Sequence, residues 1–178
     1  MSKYKAQPTG KERFFKDNEI IVSKTDPKGR IVYANDVFLE IAGYKEQEVL
    51  EQPHSLIRHP DMPRCVFQLL WDRIQAGDEI FAYVKNMAKN GDHYWVLAHV
   101  TPSRDSNNRI IGYHSNRRVP SREAVSKIEG LYAQLLAEET KHQNKKEGLA
   151  AGLAALNAFI EESGQSYDEL IFSLESQG

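Results

Sequence analysis

The chain has 178 residues, a formal net charge of −2, 40% hydrophobic residues and one cysteine, Cys65. That length suits one domain with extensions, and the lone cysteine excludes an intrachain disulfide and a zinc–thiolate cluster. There is no long basic block for nucleic acid, no apolar run long enough to span a membrane and no signal-peptide core in MSKYKAQPTGKERFF, so a cytoplasmic protein is expected.

Residues 1–18 read as a polar tail that docks through the pair Phe14-Phe15. Glu19–Lys24 and Arg30–Ala34 read as strands of a hairpin around the turn Asp26-Pro27-Lys28-Gly29. Asn35 then caps a helix with Val37, Phe38, Ile41 and Ala42 on its apolar face, and Gly43 stands where a left-handed C′ residue belongs. Lys45–Leu50 is a short helical turn broken by Gln52-Pro53. Next comes a crowded polar turn, Arg58-His59-Pro60-Asp61. It feeds a helix expected to be capped by Asp61, with Pro63 in its first turn. Val66, Phe67, Leu70, Trp71 and Ile74 share one face of that helix.

Glu79–Lys89 and His93–Ser103 are strands joined by Asn90-Gly91, a strong hairpin signal. Arg109–Val119 follows the turn Asp105–Asn108 as a further strand. Antiparallel strands with helices grouped between them predict an α+β fold, a five-stranded sheet covered on one face by helices. Beyond Pro120 the pattern becomes helical. Ser121 is a cap, Val125, Ile128, Tyr132 and Leu135 form a seam, and Glu138–Glu147 is polar. Leu149, Leu153, Leu156 and Ile160 make a second stripe, and Ser166–Glu169 forms a capping box before Leu170, Ile171 and Leu174. The expected organisation is a tail (1–18), a sensor domain (19–119), an exit helix (120–147) and amphipathic helices (148–178) wanting a partner.

Asn35-Asp36-Val37-Phe38 followed by Gly43-Tyr44, with Lys89-Asn90-Gly91-Asp92-His93-Tyr94-Trp95, resembles the signature of the PAS domain. Pro53-His54, Arg58-His59-Pro60-Asp61-Met62-Pro63 and Val84-Lys85-Asn86 narrow the resemblance to the PAS domains of the bacterial aerotaxis receptors, which bind FAD. That resemblance implies FAD as cofactor, with His54, Arg58, His59, Asp61 and Asn86 at its site. It implies a redox sensor that signals in trans to a chemoreceptor or kinase, or through its C-terminal helices. An aerotaxis receptor continues into membrane and relay segments that these 178 residues do not show.

The residues themselves support a pocket. Asn86 is a lone amide in the alternating row Ile80, Ala82, Val84, Asn86, Ala88, and an amide both donates and accepts. A core or edge asparagine is the competing account. Trp71 can stack on a flat ring, or serve as an ordinary core residue. Arg58 and Asp61 either hold a ligand or form a local ion pair, and His59 could be a turn residue. Tyr94, Val96, Ala98 and Val100 face inward. Trp95, Leu97 and His99 face outward as a patch that Phe14-Phe15, a C-terminal helix or a second subunit could cover. A homodimer is therefore expected. Tyr113, Ser115 and Arg117 alternate along the last strand, where Arg117 either faces the pocket or sits exposed on an edge. Cys65 lacks the context of a flavin-photochemical cysteine. No nucleophile–base pair or metal set has supporting spacing, so an enzyme is not expected. A haem-binding PAS oxygen sensor and a ligand-free dimerisation module remain as alternatives.

Overall fold

A computed structural model describes residues 5–175. Its centre is a five-stranded antiparallel sheet in the order β2-β1-β5-β4-β3, an α+β fold. β1 (Ile21–Thr25) and β2 (Ile31–Ala34) pair around the expected turn. There the Asp26 carboxylate accepts from the backbone of Lys28 and Arg30, and Gly29 takes φ +80°. A short loop after β2 leads to α1 (Asp36–Ala42). Asn35 caps it as predicted: its Oδ1 accepts from Phe38 N–H and Val22 N–H, and its Nδ2 donates to Ile20. Replacing Asn35 by alanine removes three bonds that tie helix to strand. A loss of about 2 kcal/mol, the upper end for a cap, is expected in urea unfolding.

α2 (Glu46–Val49), a 3-10 turn (His54–Ile57) and α3 (Arg64–Gln75) cover the inner face. The cap of α3 differs from expectation. The helix starts at Arg64 after Pro63, and Asp61 makes no cap bond. Asp61 turns instead to the Lys85 ammonium at 2.9 Å. The first-turn amides of α3 are satisfied from far along the chain, by Glu139.

β3 (Ile80–Met87), β4 (His93–Arg104) and β5 (Ile110–Arg118) complete the sheet. Asn90-Gly91 does not form a two-residue turn, because the strands end at Met87 and His93. A five-residue loop results, closed by Ala88 N–H donating to Asp92 O. The loop is shaped by what lies on it. A β-carbon at Gly91 would stand 2.1 Å from Gln7 O. The N-terminal segment docks there by polar bonds: Thr9 and Arg13 donate to the Asp92 carboxylate, and Arg13 N–H donates to His93 O. These bonds hold the Asp92 carboxyl down at about 2. Phe14, expected to dock, is 67% exposed, with Arg122 over its ring; Phe15 is half-buried against the core.

The C-terminal helices find their partner in this chain. α4 (Arg122–Thr140) is capped by Ser121 and lays Val125, Ile128, Tyr132 and Leu135 against the molecule, all four buried. Tyr132 stacks on Trp95 and donates to Tyr83 O. α5 (Lys145–Ser163) returns along α4 and α3. α6 (Tyr167–Glu175), started by the predicted Ser166–Glu169 box, bonds β3 through Tyr167 and Glu175. Trp95 is thereby buried, and the exposed patch that suggested a second subunit is covered within the chain. No described helix is long and apolar enough to cross a membrane.

Candidate functional site

The inner face of the sheet and the helices opposite leave a cavity of about 480 Å³. That is within the usual range for small-molecule sites. Strand alternation explains its sheet wall. Val84 and Asn86 of β3, Ala98 and Val100 of β4, Tyr113, Ser115 and Arg117 of β5, and Ser23 and Thr25 of β1 all point in. The helical wall carries Phe67, Leu70, Trp71 and Ile74, the predicted face of α3. Trp71 meets Tyr113 edge to face and packs so tightly on the β1–β2 turn that a β-carbon at Gly29 would stand 2.9 Å from its ring.

Four of the six residues expected at the site, His54, Arg58, Trp71 and Asn86, line this cavity. Arg58 and Asn86 stand side by side. Their backbones form an isolated antiparallel bridge, which makes them neighbours. The Arg58 guanidinium lies 4.1 Å over the Phe67 ring. His59 and Asp61 sit on the far side of the same turn, away from the cavity. His59 is buried edge to face against His93, and its Nδ1 accepts from Asp61 N–H. Asp61 is mostly exposed and paired with Lys85. The turn is so short that alternate residues leave it on opposite sides, and no sequence pattern marks which side holds the cavity.

The group with the strongest chemical signature is Arg117. It is 1% exposed, yet no carboxylate among the described residues contributes to its electrostatics. One terminal nitrogen donates to Ser23 Oγ, its plane lies 5.3 Å from the Phe38 ring, and its Nε and Nη1 have no partner. Burial lowers its pKa to about 10, partly offset by the Tyr94 hydroxyl, so it stays charged at neutral pH. Unpaired buried charge is costly, which marks this nitrogen pair as a place for an acceptor. The alternation Tyr113, Ser115, Arg117 placed the three side chains on one face. What it lacked was the position of β5 between β1 and β4, inside the sheet rather than at its edge.

Ser23 relays the contact. Ser23 Oγ lies 3.0 Å from His54 Nε2. With Arg117 donating to Ser23 and Ser23 donating onward, Nε2 carries no proton. His54 keeps some accessible surface because it faces the cavity, but it lies deep among protein atoms. Burial, reinforced by Arg117, lowers its pKa to about 3. His59 is lowered to about 4, by burial and then Lys85. Both histidines bind a proton in the unfolded chain below about pH 6.5 but not in the folded one. Stability is therefore full above that pH and falls as the pH drops toward 4 and then 3. His54 alone contributes about 1.4 kcal/mol per pH unit across this window. Urea midpoints measured from pH 8 to pH 4 are expected to be flat above neutrality and to decline below 6.5. In His54→Asn the decline should be shallower.

Cys65 does not line the cavity. It is buried beneath Glu139, and burial with that carboxylate pushes its thiol up to about 12.

A mixed wall of this kind inside a sheet of this order defines a class. Residues 31–117 match the sequence profile of the PAS fold, and this part of the chain is a PAS domain. Within that family its resemblance to the aerotaxis-receptor type holds. It is 40% identical over 124 residues to the aerotaxis receptor of Escherichia coli K12, covering 70% of this chain and 24% of the receptor. It is 29% identical over 87 residues to the biofilm dispersion protein BdlA of Pseudomonas aeruginosa PAO1, covering 48% of this chain and 21% of that protein. The chain thus spans about a quarter or less of these relatives. Among solved structures it is similar to the dark state of the blue-light photoreceptor Aureochrome1 LOV, with TM-score 0.52, 27% identity and coverage of 68% and 84%. A structure from work in which a flavin analogue sheds light on the mechanism of a light-oxygen-voltage domain matches in fold, with TM-score 0.55, 20% identity and coverage of 65% and 86%.

Proposed function

We propose that this chain is a flavin-binding PAS redox sensor that holds FAD in the cavity between sheet and α3 and converts its redox state into a signal for taxis or a related response. The observation that carries this reading is the buried Arg117, with two unpaired N–H donors in a wall shared with the Asn86 amide. A flavin ring presents carbonyl and N–H groups along one edge, which Arg117 and Asn86 can satisfy. Its flat apolar part suits the space between Phe67, Leu70 and Trp71 on one side and Val84, Ala98 and Val100 on the other. Lys28, Arg58 and Arg64 line the solvent-reaching part, where cations suit phosphates. FAD would supply the electron exchange, and the protein supplies binding and electrostatics. The resemblance to the aerotaxis receptor supports the assignment of His54, Arg58, Trp71 and Asn86 to the cofactor. For His59 and Asp61 the proposed role is to fix the turn that carries Arg58.

The reading makes the chain a non-enzymatic sensor, acting in the cytoplasm on a signalling protein such as a chemoreceptor or kinase, with a homodimer as its working form. An absorbance spectrum of the purified protein, before and after incubation with FAD, tests it. Flavin bands with FAD recovered by chromatography are expected. A protein colourless after incubation overturns the reading, and a Soret band would point to haem instead, with His54 as the one histidine in the cavity wall.

A further inference from the structure

The helical arm that covers the outer face of the sheet also reaches the cavity. Leu149 of α5 lines it, and so does Arg64, the first residue of α3. Arg64 Nη1 donates to Lys145 O at 3.1 Å, fastening the start of α5 to the start of α3. Glu139, near the end of α4, organises the junction. It is 1% exposed. Its Oε2 accepts from Arg64 N–H at 3.0 Å and its Oε1 from Cys65 N–H at 2.8 Å. Arg64 Nε stands 3.5 Å away. These amides belong to the first turn of α3, which no helix can satisfy internally, and a carboxylate there also meets the positive end of the helix dipole. α5 closes over this carboxylate through glycines. A β-carbon at Gly152 would stand 2.7 Å from Glu139 Oε1, and one at Gly148 would stand 2.5 Å from Glu139 O.

We propose that α5 forms a lid on the cavity, latched through Glu139 of α4, so that occupancy of the cavity and docking of the arm stabilise each other. This rests on the reading that the cavity holds a ligand. α3 connects the two, because its N-terminus is held by Glu139 while Phe67, Leu70, Trp71 and Ile74 form the cavity wall. An occupant that favours one seating of α3 favours the docked arm, and the coupling must run equally in both directions. Glu139 is a positioning residue: it acts through α3 and touches no ligand.

The single cysteine makes the latch measurable. Cys65 is fully buried under Glu139, so a thiol reagent reads lifting of the arm. Two variants open the latch by different routes. Glu139→Ala removes the carboxylate, and Gly152→Val pushes α5 off it. Each should speed Cys65 labelling of the otherwise folded chain by about tenfold, the effect of losing a cap. Each should also speed FAD release by a similar factor, Glu139→Gln should recover part of the loss, and saturating FAD should slow Cys65 labelling in the unsubstituted chain. Faster labelling with unchanged FAD release overturns the lid, as does labelling indifferent to bound FAD. If the chain takes up no FAD, the cofactor reading has failed, and the lid is read without it. In a Trp95→Phe background Trp71 is the only tryptophan. Acrylamide quenching of Trp71 should then rise on Glu139→Ala, and unchanged quenching overturns the proposal.

Discussion

Replacing Arg117 by methionine should make the empty protein more stable and the cofactor complex weaker. The guanidinium is buried, its Nε and Nη1 have no partner, and its one hydrogen bond goes to a neutral serine. The attraction to Phe38 offsets only part of that cost. An apolar side chain of similar length removes the unpaired donors, and exchanges of this kind are commonly neutral or stabilising. A gain of roughly 1–3 kcal/mol is expected in urea unfolding of the cofactor-free chain. Affinity for FAD should fall roughly ten- to a hundredfold, the value of hydrogen bonds to a charged donor. A variant that is less stable and binds FAD as before would show that Arg117 is a structural residue.

Phe38→Ala should be among the most damaging single changes, at about 3–5 kcal/mol. The ring is fully buried on α1, meets His54 edge to face at 6.3 Å and lies under Arg117. Truncation leaves a void in the core beside the cavity and removes the aromatic face that, with Ser23 and Tyr94, favours the buried cation. The loss should appear as a lower urea midpoint in the cofactor-free protein. Phe38→Leu keeps most of the volume and should cost less than half as much, while weakening FAD binding through a less constrained Arg117. A cost below about 1 kcal/mol for the alanine variant would mean that α1 is not packed as described.

Most of the fold was legible because its signals are local. Asn35 and Gly43 bracket α1, Asp26 and Gly29 shape the first hairpin, and Ser121 and Ser166 start α4 and α6. Each makes its turn or cap contact within a few residues of itself. The same holds for the inward rows of β3, β4 and β5, since alternation fixes a residue's face once the strand is known. Two local signals that misled were overridden by chain far away. Asn90-Gly91 is a hairpin signal, but the N-terminal segment lies on the loop and the Asp92 carboxylate collects bonds from Thr9 and Arg13. Asp61 has the chemistry of a cap, but Lys85 claims it.

The polar turn Arg58–Asp61 shows the same division within the site. Its residue types announced a functional wall, and Arg58 does face the cavity beside Asn86. Which of its four residues does so depends on the bridge to β3. By itself the sequence determined the strands, the helices, the caps of α1, α4 and α6 and the PAS resemblance, because these follow from spacing over a few residues. Tertiary structure alone decided three things: that Arg117 is an unpaired buried cation, that Trp95 is covered by α4 and not by a second subunit, and that Glu139 caps a helix 74 residues earlier. Each depends on desolvation or on a hydrogen bond across the fold, and neither is set by the neighbours of a residue in the chain.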